Sequence, residues 1–126
     1  GPYAIQAAIA AVHAEAASSA DTDWTQIVAL YDVLQTLAPG PVVALNRAVA
    51  LAMRDGPEAG LVLIDDLLAR GELQDYRFAH AARADLCRRL GRTAEAADAY
   101  RRAIALGRPG PEQRFLQRRL DALQGS

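Results

Sequence analysis

His13, Asn46 and His80 recur at intervals of 33 and 34 residues, and four residues after each stands a small one: Ala17, Ala50 and Ala84. About one helix further on, Tyr31, Ile64 and Tyr100 form a second column at intervals of 33 and 36. A period near 34 fits one helix, a turn and a second helix. Alanine in the first helix lets the antiparallel partner approach closely, and the ring or branched chain of the second fills the space beside it. One such unit cannot bury its own apolar face, so the units must stack.

That spacing is the signature of tetratricopeptide-type hairpins, and composition agrees with it. The chain of 126 residues is 52% hydrophobic but only 6% aromatic. Its apolar bulk is therefore alanine and leucine, which favour helix over strand. The expected fold is all-α: a tetratricopeptide-like right-handed stack of three helical hairpins plus a C-terminal capping helix. The hairpins fall at about 3–38, 42–70 and 75–106 and the cap at about 111–123, within one domain spanning 1–126.

Punctuation sets the boundaries. Pro2 suits the first turn of a helix running to about Ser18, and Asp23 is placed to cap the second helix. Pro39-Gly40-Pro41 and Asp55-Gly56-Pro57 separate the third helix from its neighbours, and the single glycines read as helix ends. The fifth helix spans about Asp75 to Leu90. Thr93 is expected to cap the sixth, and Phe115, Leu116, Leu120 and Leu123 form the apolar stripe of the seventh.

The net charge of −1 hides an asymmetry: residues 1–63 hold two Arg against six acids, and residues 64–126 twelve Arg against nine. The average gives no reason to expect nucleic-acid or membrane binding. Every basic residue is Arg, which reads as the codon bias of a GC-rich genome. One cysteine, Cys87, rules out an internal disulfide framework and suits a reducing cytoplasm. No run approaches the length of a membrane span, and no signal peptide is visible.

Three stretches carry more than a repeat. They are Gly1-Pro2-Tyr3-Ala4-Ile5-Gln6-Ala7-Ala8-Ile9-Ala10-Ala11-Val12-His13-Ala14, Asp21-Thr22-Asp23-Trp24, and Pro41-Val42-Val43-Ala44-Leu45-Asn46-Arg47-Ala48-Val49-Ala50. With Leu30-Tyr31-Asp32 and Pro111-Glu112-Gln113-Arg114-Phe115-Leu116, they resemble a group of bacterial extracytoplasmic-function RNA polymerase sigma factors, members of the sigma-70 family. That group carries a tetratricopeptide-like C-terminal extension. The likeness covers nearly the whole chain and is most specific from Gly1 to Ala50. It implies a fragment of a longer cytoplasmic protein, with promoter-reading and polymerase-binding segments upstream. The implied function is regulatory, in transcription initiation, through contacts with the upstream domains and the RNA polymerase core. Promoter DNA would be met only through the upstream domains, and no membrane is involved. The alternative is a free-standing tetratricopeptide adaptor that binds a peptide tail.

No residue set points to catalysis, a metal or a cofactor. His13 and His80 lie in separate repeats, and His80 and Cys87 are about 10 Å apart along a helix axis. Packing is the better reading of all three. No nucleophile–base pair, phosphate loop or calcium loop is present. Arg88-Arg89, Arg101-Arg102 and Arg118-Arg119 are interleaved with acids, as at Asp98 and Arg102, and read as a solvated face. In tetratricopeptide proteins a groove is lined by the first helices. Carried over by the alanine column, it would hold Arg47, Leu51 and Arg54, then Ala81, Asp85 and Arg88, with Ala14, Ser18 and Asp21 in the first repeat. Its basic centre would suit an acidic segment, unless Asp55 and Asp85 pair with these arginines. Trp24 is expected to anchor the second helix on the first. Tyr3 and Gln6, in the most family-specific stretch, are candidates for docking the upstream domains.

Overall fold

The structure, a computed structural model, describes residues 1–16 and 21–125. Among them are seven α-helices and no strand: α1 (Pro2–Glu15), α2 (Trp24–Leu37), α3 (Pro41–Asp55), α4 (Pro57–Ala69), α5 (Arg77–Arg89), α6 (Thr93–Leu106) and α7 (Pro111–Gln124). Ala17 and Ser18 lie outside the described residues. Four helices begin with proline, whose ring presets the helical φ and whose missing N–H has no partner to lose there. The Asp23 side chain accepts from the Gln26 amide at 3.0 Å, capping α2 as the sequence predicts. Thr93 does not cap α6: it is the first helical residue, and the cap position belongs to Arg92. α5 also starts two residues later than expected, after a connection that spans 70–76. Gly56, at a φ of +106°, lets α3 pass into α4 through a single residue.

Each helix packs on its neighbours in sequence, and α3 also touches α5 across α4. The result is the expected all-α stack of hairpins, with α7 covering α6. One core cluster joins α3 to α7 and includes Ala48, Ile64, Ala84, Tyr100 and Leu116. The other joins the first hairpin to α3 through Ile9, Val12, Ile27, Val28, Leu34 and Ala50. No polar or charged residue is buried among the described residues. Phe115 departs from the expected stripe: Leu116 and Leu120 are buried, while Phe115 stays 46% exposed beneath the Arg119 guanidinium. Gly60 ends no helix; it lies buried inside α4.

The repeat register differs from the alanine column. α3 and α5 begin 36 residues apart, as do α4 and α6. Arg89 Nη1 meets Met53 Sδ, 36 residues earlier, at 3.4 Å. Ala50 packs back onto the first hairpin, and Leu86 packs back onto Gly60 of α4, so these two are the equivalent positions. Ala48, not Ala50, therefore corresponds to Ala84, and both are fully buried. The shift was hidden because α3 carries alanine at several core positions, each small enough to fill the slot.

Cys87 sits in this core with no solvent exposure, and burial pushes its thiol above the usual range. Only the thiolate reacts readily, so the native chain should label with Ellman's reagent far more slowly than the urea-unfolded chain. Equal rates in the two states would place Cys87 at the surface.

Candidate functional site

The predicted groove residues do not converge. Arg47 pairs with Asp32 of α2, and Leu51 packs with the first hairpin. Arg54 donates to Asp55 at 3.0 Å through two nitrogens. That hydrogen bond, followed by the charges of Asp55 and Asp32, raises the Arg54 pKa, and the Asp55 carboxyl is lowered by the same contact. The stripe Arg47, Leu51 and Arg54 is thus turned toward α2. Asp85 and Arg88, by contrast, pair with each other at 2.7 Å on α5, and Arg89 joins the same carboxylate at 2.9 Å. The Asp85 contact raises the Arg88 pKa, with a smaller contribution from Tyr100 of α6. Counted by the structural register, Val49 and Ala52 stand where α5 has Asp85 and Arg88. No hydrogen bond or hollow among the described residues brings Arg47 to Arg88.

Arg47 instead belongs to a repeated strut between hairpins. Arg47 binds Asp32, and Arg83, 36 residues on, binds Asp65 at 2.7 Å and Glu95 at 2.9 Å. Asp32 and Asp65 are 33 residues apart, like the starts of α2 and α4. In each case an arginine of a first helix reaches the preceding second helix. Arg83 is the stronger strut: its side chain is 21% exposed against 33% for Arg47, and it satisfies two carboxylates. Arg83→Ala should cost about 1–2 kcal/mol, and Arg47→Ala less than about 1 kcal/mol. Urea denaturation of the two variants measures the order, and a larger loss at Arg47 would contradict it. No spacing rule identifies these struts from sequence, since the partners lie 15 and 18 residues apart on different helices.

Of the remaining arginines of α5 and α6, Arg77 reaches Glu112 of α7 at 3.5 Å, and the expected pairing of Asp98 with Arg102 is exchanged. Asp98 takes Arg101 at 3.0 Å, and Arg102 reaches Asp75 of the 70–76 connection at the same distance. The histidines stay apart. His13 packs edge-on against Trp24, with ring centroids 5.3 Å apart, which fastens α2 to α1 as expected. His80 Nε2 meets the Gln74 carbonyl at 2.7 Å. Among the described residues no group of three His, Cys, Asp or Glu is placed to hold a metal ion. None of their helices is long and apolar enough to cross a membrane.

One surface does collect the sequence candidates. α1 buries Ile9 and Val12 and leaves the opposite side open. There Tyr3 is 88% exposed, and Gln6, Ala7, Ala10 and Ala14 are exposed with it. Helical spacing puts Tyr3, Ala7, Ala10 and Ala14 in one stripe, and the acidic or basic side chains of α1 itself are His13 and Glu15. The other end of the stack is different: α7 shows Arg114, Arg118, Glu112 and Asp121 to solvent. A helix face that meets water is ordinarily polar or charged. α7 has that character and α1 does not.

No family model and no solved structure matches the chain. It is 48% identical over 123 residues, 98% of its length, to an uncharacterized protein of Rhizobium meliloti (strain 1021). The chain spans 29% of the length of that relative.

Proposed function

We propose that this chain is the regulatory C-terminal domain of a cytoplasmic extracytoplasmic-function sigma factor, acting in transcription initiation by protein contact rather than by catalysis. The observation that carries the proposal is the outer face of α1, with Tyr3 88% exposed on a stripe of alanines. In this reading the surface is covered by protein, and it lies within the stretch that resembles the sigma factors most closely. The reading is further supported by a relative more than three times the length of this chain, which has room for additional domains. In this account the α1 face docks against the upstream sigma-factor domains, with Tyr3 and Gln6 at its N-terminal end. RNA polymerase core and promoter DNA are then met through those domains. The test is reconstituted transcription with RNA polymerase core and the longer parent protein, with and without residues 1–126. Promoter-dependent transcript should change several-fold on removal of the domain. A parent with no promoter-dependent activity in either form refutes the reading.

A further inference from the structure

The chain has 14 arginines and no lysine, and ten of them reach a carboxylate within 3.5 Å. The four left over are Arg108, Arg114, Arg118 and Arg119, which stand together on α7 and in the turn before it. Of the three arginine doublets, Arg88-Arg89 is held by Asp85, and Arg101-Arg102 by Asp98 and Asp75. Among the described residues, Arg118-Arg119 has no such partner.

The segregation is also one of charge. Residues 1–107 carry ten Arg against thirteen acids (−3), and residues 108–126 carry four against two (+2). Both acids of that last segment are engaged by other side chains: Glu112 faces Arg77 of α5 at 3.5 Å, and Asp121 accepts from the Gln117 amide at 3.0 Å. Nor does packing require the four arginines, because α7 is fastened through Leu116 and Leu120. Arg114 and Arg118 stand four residues apart, a spacing at which like charges on a helix repel. Arg108 and Arg114 lie toward the positive end of the α7 dipole, where a cation is disfavoured.

Phe115 stands in the middle of this patch, 46% exposed, with the Arg119 guanidinium 5.2 Å from its ring centroid. The rows 114–118 and 115–119 are adjacent on the helix surface. The centre of a protein interface is depleted of charge, so a face made of arginines around one ring does not suit a protein partner as the α1 face does. It suits a single nucleic-acid strand. Guanidinium groups take phosphates through charge-assisted hydrogen bonds, and an exposed ring stacks on an unpaired base. In a duplex the bases are stacked on one another and do not reach such a ring.

We propose that the outer face of α7 binds a single nucleic-acid strand, with Arg108, Arg114, Arg118 and Arg119 on phosphates and Phe115 on a base. The contacts are to phosphate and to the flat side of a base, so they select neither sequence nor sugar. The inference stands independently of the role in transcription.

The probe is a fluorescein-labelled oligothymidylate of about 12 nucleotides, titrated with the 126-residue chain and followed by anisotropy at several salt concentrations. Binding should saturate at low salt, and log K should fall with log salt at a slope of about −3, the value for four phosphate contacts on a single strand. Arg114→Ala combined with Arg118→Ala should bring the slope to about −1.5. Phe115→Ala should weaken binding roughly 5- to 100-fold without altering the slope. These residues are exposed and outside the core clusters, so circular dichroism should show every variant folded. Arg54→Ala, on α3, should bind as the parent does. No saturable binding at low salt, or an undiminished slope in the folded double variant, overturns the proposal. Equal or tighter binding of the matching duplex, with Phe115→Ala unchanged, overturns the assignment to a single strand. Displacement of the oligonucleotide by polyglutamate at equal charge would assign the face to an acidic protein and also overturn it.

Discussion

Gly60→Val is expected to cost the domain about 3 kcal/mol, the upper part of the range for overpacking a core. For a chain of this size that lowers the melting temperature by on the order of 10 °C. A Cβ built on Gly60 lies 2.6 Å from the Ala48 carbonyl oxygen, 2.6 Å from Ala52 Cβ and 3.2 Å from Leu86 Cδ1. Two of these atoms belong to α3 and one to α5, so three helices meet at this residue. The carbonyl is backbone in the middle of a helix and cannot swing aside; α4 must move away from α3. Gly60→Ala makes the sign diagnostic. Propensity alone would reward alanine in a helix interior by about 1 kcal/mol, whereas the contact predicts a net loss. Urea melts with unchanged m-values measure it. A Gly60→Ala variant more stable than the parent would mean that α3 and α4 do not approach as closely as described.

Gly60 also shows where sequence reading stopped. The seven helices were legible because proline and glycine punctuate them and the apolar stripes repeat at helical spacing. Asp23 could be placed at a cap and Trp24 against α1 from position alone. A glycine in mid-helix looks the same as one that ends a helix until the partner helix is known. The register failed for a related reason: α3 has Ala44, Ala48, Ala50 and Ala52, and single-residue columns cannot choose between Ala48 and Ala50. That choice decided where the groove residues pointed. A two-residue shift turns a helix by more than half a revolution, which is why Arg47 meets Asp32 instead of facing Arg88. The exposed stripe of α1 was only half legible. Tyr3 and Gln6 were singled out by resemblance, but the alanines that follow them on the exposed side, Ala7, Ala10 and Ala14, carried no signal of their own until the structure showed that side uncovered.

The α1 surface gives the second large effect. If this face is a protein interface, Tyr3 is its one large aromatic side chain, and such residues commonly contribute about 2 kcal/mol or more when truncated. At about 1.4 kcal/mol per decade, that is roughly a 30-fold loss of productive association. Tyr3→Asp combined with Ala10→Glu adds two charges that would be buried unpaired on docking, which enlarges the penalty. The isolated domain should be indifferent to both changes, because Tyr3 and Ala10 are exposed and neither joins a core cluster. Circular dichroism and the melting temperature of the 126-residue chain are therefore expected to match the parent within about 2 °C, as for surface substitutions generally.

The measurement that bears most directly on this account is reconstituted transcription by the longer parent protein with RNA polymerase core, comparing parent and the Tyr3→Asp, Ala10→Glu double variant. The account predicts that promoter-dependent transcript changes several-fold, in the same direction as on removal of the domain, while the isolated domain keeps its fold. Transcript at the parent level from a correctly folded double variant would contradict it.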